Sequence, residues 1–300
     1  MRVPCSTSNL GAGFDCVGLA LGCYLHASYE PGREPLALQR EGTLAGLDTP
    51  AERDHTVVAF QARREQRGGP ATGLIRVRSE IPVGRGLGSS AAALVAGFVL
   101  ADAAAGRAVD ASASFAFAES VDGHPDNAAP CAFGGLVACA PGEKGTVPIR
   151  LPLSDAIAFV YAAPAVHVST ERARNAMPRN VELTAVVESI RRTAALLAGL
   201  ATGSPELLAI GFADALHVPV RLPLIPGAAA AIAAAREAGA WAVTISGSGS
   251  GLIAVAPHEA AQRVAESMRA VLATAVATHG MTALGFPVSP DPYGAQILDP

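Results

Sequence analysis

Apolar positions along the chain follow two periods, and the first half switches between them repeatedly. Short apolar runs predict strands near Leu19–Ala27 and Leu74–Ser79, and helical spacing predicts a helix over Thr56–Arg67. An alanine-rich segment after a glycine-rich stretch predicts a helix that ends near Ala105, with Gly106 as its stop. Another helix is expected over Ala111–Val121, followed by the loop Gly123-His124-Pro125-Asp126-Asn127, and Gly134-Gly135 leads into an apolar strand to Ala140.

The stretch Pro141–Pro152 is rich in proline, glycine and charge and reads as a linker, dividing the chain into domains 1–150 and 151–300. Beyond it the pattern predicts a strand at Ile157–Tyr161 and helices near Val181–Leu200, Pro205–Ala215 and Ala228–Ala238. Strands at Ala242–Ser246 and Leu252–Ala256 flank a second glycine loop, a helix covers about Ala260–Ala277, and a last strand lies near Thr282–Phe286. The expected class is α+β, with a mixed sheet and helices on one face in each half.

Composition narrows the function. A chain of 300 residues with 50% hydrophobic and 16% charged content can bury a large core. A net charge of −4 without a basic run supplies no field for nucleic acid or a membrane surface, so the expected partners are small molecules. The longest apolar run, Ala91–Ala101, falls short of the ~20 residues a bilayer needs. The first residues lack the apolar core of a secretory signal, which points to a cytoplasmic protein. Cys5, Cys16, Cys23, Cys131 and Cys139 are odd in number and lack C-x-x-C spacing, so they read as reduced structural thiols.

The chemistry concentrates in Pro82-Val83-Gly84-Arg85-Gly86-Leu87-Gly88-Ser89-Ser90-Ala91-Ala92. Glycines let a backbone approach an anion closely, and the first amides of the helix that follows are unpaired donors at its positive end. The spacing is neither that of a P-loop nor that of a dinucleotide fold, and on spacing alone a tight connection serves as well as a phosphate site. Asn9 and Asp15 lie in a turn-rich opening where they could simply cap local backbone. Glu119 and Asp122 precede the His124–Asn127 loop, where a carboxylate could meet a magnesium ion that bridges phosphates. Arg174 and Arg221 are, taken singly, ordinary surface cations.

Taken together these strings resemble the GHMP kinases. The glycine loop is similar to their P-x-G-x-G-L-G-S-S-A-A signature, and Val3–Asp15 looks like the V-P-A-S-S-A-N-L-G-P-G-F-D opening of the homoserine kinases within that family, with Cys5 and Ala12 as departures. Asp122–Pro130 resembles E-G-H-P-D-N-V-A-P, with Asp122 where the family has Glu. Thr170, Arg174 and Arg221 match the T-x-x-x-R…P and H-x-P-x-R…P-G elements, and Ser246–Ser250 matches S-G-x-G-P with Ser250 in place of proline. The tail after Phe286 matches nothing in the family pattern.

The resemblance implies a two-domain GHMP kinase fold whose C-terminal half is ferredoxin-like, ATP and magnesium as cofactors, and a homodimer. It implies phosphorylation of the side-chain hydroxyl of L-homoserine, a step toward threonine. Asn9, Asp15, His124, Asn127, Thr170, Arg174 and Arg221 would hold that acceptor, because guanidinium groups grip a carboxylate with paired hydrogen bonds. Asn9, Asp15, Asp126 and Asn127 are the candidate catalytic residues, Pro82 through Ala92 the nucleotide site, and Ser90 with Asp122 or Glu119 the magnesium ligands. A mevalonate-type kinase and a non-catalytic ligand-binding homologue are the alternatives; the isoprenoid kinases usually carry a Pro-Ser-Gly-x-Asp type loop where this chain has His-Pro-Asp-Asn.

Overall fold

Two sheets organise the chain in the structure, a computed structural model that describes residues 1–298. The first contains β1 (Arg2–Ser8), β2 (Val17–Pro35), β3 (Ala37–Gly42), β4 (Thr72–Ser79), β5 (Leu136–Gly142) and β6 (Gly145–Leu151), ordered β3-β4-β2-β5-β6 with β1 paired to β2. β3 and β4 are parallel and the other pairs antiparallel, so the sheet is mixed. Its helices are α1 (His55–Gln66), α2 (Ser89–Ala103), α3 (Ala111–Asp122) and α4 (Pro125–Phe133).

Helix α2 is apolar on all sides and buried from Ala91 to Asp102 save for Ala93, as a helix at the centre of a domain must be. Gly97 lets α1 come close, since a Cβ there would strike the Thr56 carbonyl oxygen. The one ionised group on the buried stretch, Asp102, accepts Arg63 Nε at 2.9 Å and Nη2 at 2.7 Å, and that guanidinium stacks 4.2 Å over the Phe98 ring. The two helices are thereby locked in register, which fixes the start of α2 against the start of α1.

The second sheet, β10-β7-β9-β8, is built from β7 (Ala158–Pro164), β8 (Ala242–Ile245), β9 (Leu252–Ala256) and β10 (Ala283–Val288) and is antiparallel throughout, rather than mixed. Between β7 and β8 run α5 (Thr170–Asn175), α6 (Leu183–Thr202), α7 (Pro205–Phe212), α8 (Val218–Arg221) and α9 (Ala228–Glu237); α10 (Ala261–Val276) joins β9 to β10. Strand order and helical crossovers make this half ferredoxin-like. Alternation along β7 splits the burial: Phe159, Tyr161 and Ala163 join the core shared with the first sheet, while Ala158, Val160 and Ala162 pack with α9 and α10. Among the described residues no single helix is long and apolar enough to cross a membrane; Val218–Leu224 and Ala228–Glu237 reach that length only as a pair bent by 108°.

Two local expectations change, and the tail gains a place. The segment read as a linker is the β5–β6 hairpin, in which Gly142 pairs with Gly145 across a two-residue turn. The loop expected at Gly123–Asn127 is cut short by α4, which starts with Pro125 at its first turn, where a missing N–H costs nothing. The tail beyond β10 returns to the first sheet, where Pro290 bridges Leu21 and Gln296 bridges Arg2.

Candidate active site

The glycine loop lies between β4 and α2 and is tied down through its carbonyls. Tyr161 Oη donates to Arg85 O at 2.7 Å, Ser246 Oγ to Gly86 O at 2.6 Å, and the Ser6 amide to Leu87 O at 3.3 Å. Gly86 and Gly88 both have positive φ, +76° and +59°. A Cβ at Gly86 would collide with Ser246 O, and one at Gly88 with Ser6 Oγ, so neither position admits another residue without displacement. Gly88 is also the N-cap of α2 and offers no side chain, so the first amides of that helix stay open to a ligand.

The second glycine loop braces the first. Ser246 Oγ also bonds Thr7 Oγ1 at 2.8 Å, and the Gly247 amide donates to Ser8 O at 2.9 Å, so β1, the phosphate-type loop and the β8–β9 turn form one hydrogen-bonded unit. In front of it opens a cavity of about 400 Å³ lined by Gly84, Gly86, Gly88, Ser89 and Ser90, by Asp122, His124 and Asn127, and by Thr170, Gly247 and Ser248. The start of α1 supplies Arg53, Asp54 and His55 to the same cavity.

Of the residues expected to bind metal, Ser90 and Asp122 both line this cavity. Ser90 Oγ is 2.8 Å from His55 Nδ1. Glu119 faces elsewhere: its carboxylate accepts a hydrogen bond from Thr146 Oγ1 on β6, and it is not part of the cavity lining. Among the described residues no three His, Cys, Asp or Glu side chains cluster as a metal cage. A nucleotide-bound magnesium takes only one or two protein ligands and completes its shell with phosphate and water, and a serine and a carboxylate suit it.

Of the expected acceptor residues, His124, Asn127 and Thr170 line the cavity; Asn9, Asp15 and Arg174 stand behind that lining and connect to it through Gly247 and His124. Asn9, with φ +58°, donates through Nδ2 to Gly247 O at 2.9 Å and accepts the Asp15 amide at 2.9 Å. Arg174 makes two parallel bonds to the Asp15 carboxylate, at 3.0 and 3.1 Å, and its Nε donates to His124 Nε2 at 3.1 Å. Asn127 is engaged with β1, accepting from Ser6 Oγ and donating to Ser8 Oγ. Asp126 is 1% exposed and neither carboxylate oxygen has a partner; burial, and then the charge of Asp15, push its pKa up to about 7.

Arg221 is 2% exposed, donates through Nε to Ala173 O at 3.2 Å, and has an unpartnered Nη1. Its guanidinium lies 4.9 Å over the Phe14 ring, which stacks on His217 at 5.0 Å. His217 Nε2 lies 2.9 Å from Gly11 O, and burial lowers the imidazole's pKa, so the ring is neutral at neutral pH and Nε2 is the donor. A buried carboxylate without a partner and a buried guanidinium with one free nitrogen are costly by themselves and mark a site suited to a polar ligand.

Sequence reasoning missed several members of this site. Phe14, His217 and Ser246 fall inside the quoted strings without an assigned role, whereas His55 and Tyr161 sit in no motif and meet the loop only through the fold.

Comparison with known proteins assigns the chain to a family. The family model described as GHMP kinases N terminal domain matches residues 54–135, and GHMP kinases C terminal matches residues 194–274. A homoserine kinase of Moorella thermoacetica is 41% identical over 261 residues, covering 85% of this chain and 86% of the relative. A homoserine kinase of Thermus thermophilus is 40% identical, with the same coverage of each chain. The crystal structure of a homoserine kinase from Cytophaga hutchinsonii superposes with a TM-score of 0.84 at 26% identity, covering 99% of this chain and 96% of that one.

Proposed function

Because the chain belongs to the GHMP kinase family, within its homoserine kinases, we propose that it transfers the γ-phosphoryl group of ATP to the side-chain hydroxyl of L-homoserine, in the cavity at the glycine loop whose lining residue His124 is bonded to Arg174 of the Asp15–Arg174 pair. The observation that carries this reading is the buried, partly unsatisfied charge set at the acceptor end: Arg221 Nη1 and both oxygens of Asp126. An amino acid presents a carboxylate and an ammonium together. Arg221 and Arg174 match the first, and Asp15 matches the second.

Phosphoryl transfer requires alignment and charge neutralisation more than covalent participation by the protein. The open amides at the start of α2 would hold the phosphates, with the loop carbonyls pulled back by Tyr161, Ser246 and Ser6. Ser90 and Asp122 would hold magnesium, which supplies neutralisation of the phosphate charge. The Ser90 hydroxyl suits this role, because its contact with His55 Nδ1 leaves the oxygen at least one lone pair for a cation. As the P–O bond to the leaving ADP breaks and the acceptor oxygen bonds phosphorus, the hydroxyl proton needs a destination. Asp126 fits, being unpartnered and titrating near neutral pH.

The test is magnesium-dependent ADP release with L-homoserine, D-homoserine, L-serine, mevalonate and galactose offered separately. Turnover confined mainly to L-homoserine is expected; turnover with mevalonate instead would discard the acceptor assignment. Arg221→Ala should raise the KM for homoserine on the order of 100-fold, as truncation of a buried charge partner does, with ATP affinity unchanged. Equal loss for both substrates would refute the carboxylate role of Arg221.

A further inference from the structure

His167 stands over the glycine loop at a place no motif marks. Its ring lies against Gly84, where φ is +66° and a Cβ would run into the imidazole, and it lines the same cavity as Gly86, Gly88 and Ser90. The backbone that carries it is held on both sides. Val166 O accepts a hydrogen bond from Ser250 Oγ, the Ala165 amide donates to Thr282 O, the Val168 side chain is buried, and Ser169 caps α5 through the Arg172 amide. Ser250, the residue that replaces the family's proline, therefore fastens the segment from which His167 projects.

Charge supply on this cavity is unusual. The chain has a single lysine, Lys144, in the turn of the β5–β6 hairpin and outside the cavity lining. The side chains on the cavity lining that can carry positive charge are Arg53, His55, His124 and His167. Two of these are engaged within the protein: His55 Nδ1 with Ser90 Oγ, and His124 Nε2 with Arg174 Nε. The ring of His167 makes no hydrogen bond to protein among the described residues, and a polyphosphate seated on the loop amides would meet its N–H.

We propose that His167 is a direct ligand of the nucleotide's phosphate chain, closing the loop from the side of the second sheet. The inference rests on the reading of the cavity as the ATP site. It takes the place of a lysine or arginine contact with a donor whose ring lies against Gly84 and needs no long flexible stem.

The experiment is equilibrium titration of the full-length wild-type chain, His167→Ala and His167→Lys with ATP in the presence of magnesium, with adenosine as the control ligand and thermal melting as the check on folding. His167→Ala should weaken ATP about tenfold or more, as loss of a hydrogen bond to a charged group does, and leave adenosine unchanged. His167→Lys should restore most of the ATP affinity. Equal ATP affinity in wild type and His167→Ala overturns the assignment while leaving the cavity reading intact, as does an equal loss for adenosine. Failure of the wild type itself to bind ATP would instead overturn the reading on which the proposal rests.

Discussion

Asp126, the proposed acceptor of the hydroxyl proton, is a side chain whose charge weakens the fold. Its folded pKa of about 7 lies above the ordinary aspartate value of 3.8, so the native state holds its proton more tightly than the unfolded chain. Stability from this group is fully present below about pH 4 and is lost as the pH rises through about 7. In Asp126→Asn the buried charge is gone, so the variant should be more stable than wild type at pH 8 by about 1–3 kcal/mol, with a smaller difference at pH 5. Urea unfolding at the two pH values measures it, and kcat should fall in the same variant. A stability difference independent of pH would mean that Asp126 is already neutralised by a partner. At this scale the sequence was informative where residues sit in strings: Asn9, Asp15, Asp126, Arg174 and Arg221 converge in the fold. It was silent for His55 and His167, since an isolated histidine carries no spacing that distinguishes a ligand from a surface residue.

The elements that shape the site are loops holding other loops. Ser246 Oγ reaches both Gly86 O and Thr7 Oγ1, so the β8–β9 turn dictates where the phosphate-type loop can sit. Gly86→Ala would have to adopt a positive φ and drive its methyl group into Ser246 O, a strain of roughly 1–3 kcal/mol before any displacement. ATP KM should rise at least tenfold, because the loop is the part free to move. Normal ATP binding in that variant would show that the contact with Ser246 does not set the phosphate geometry. Periodicity located the long helices to within a few residues but passed over β1 and α4. Ser6, Thr7 and Ser8 of β1 are fully buried yet polar, so no apolar alternation announces the strand. Pro125 and Pro130 both argue against α4, although the first stands where proline is tolerated and the second lies within a single short helix.

At the scale of the whole molecule the two sheets are joined through the shared core, through the bonds of the β8–β9 turn to β1 and the glycine loop, and by the tail after β10. Asp291 is the buckle of that strap. Its Oδ1 accepts the amides of Tyr293 and Gly294 at 2.9 and 2.8 Å, its Oδ2 accepts Tyr24 Oη at 2.8 Å, and its own backbone bonds Ala20 O and the Gly135 amide. Burial, and then Asp291, push the Tyr24 phenol up to about 12, so this contact persists across the ordinary pH range. Gly134 and Gly135 close α4, whose first turn carries Asp126 and Asn127, and a Cβ at Gly134 would strike the backbone of Tyr293 and Gly294. The strap thus holds the far end of the acceptor helix against β2 without reaching the cavity. Asp291→Ala leaves a half-buried phenol and two amides without their acceptor, which should cost about 1–3 kcal/mol of stability. Below its lowered melting temperature the variant should keep wild-type KM values for ATP and homoserine, because none of the severed bonds touches a cavity residue. A raised homoserine KM in a still-folded Asp291→Ala protein would instead show that α4 transmits the tail's grip to Asp126, making the strap part of the acceptor site.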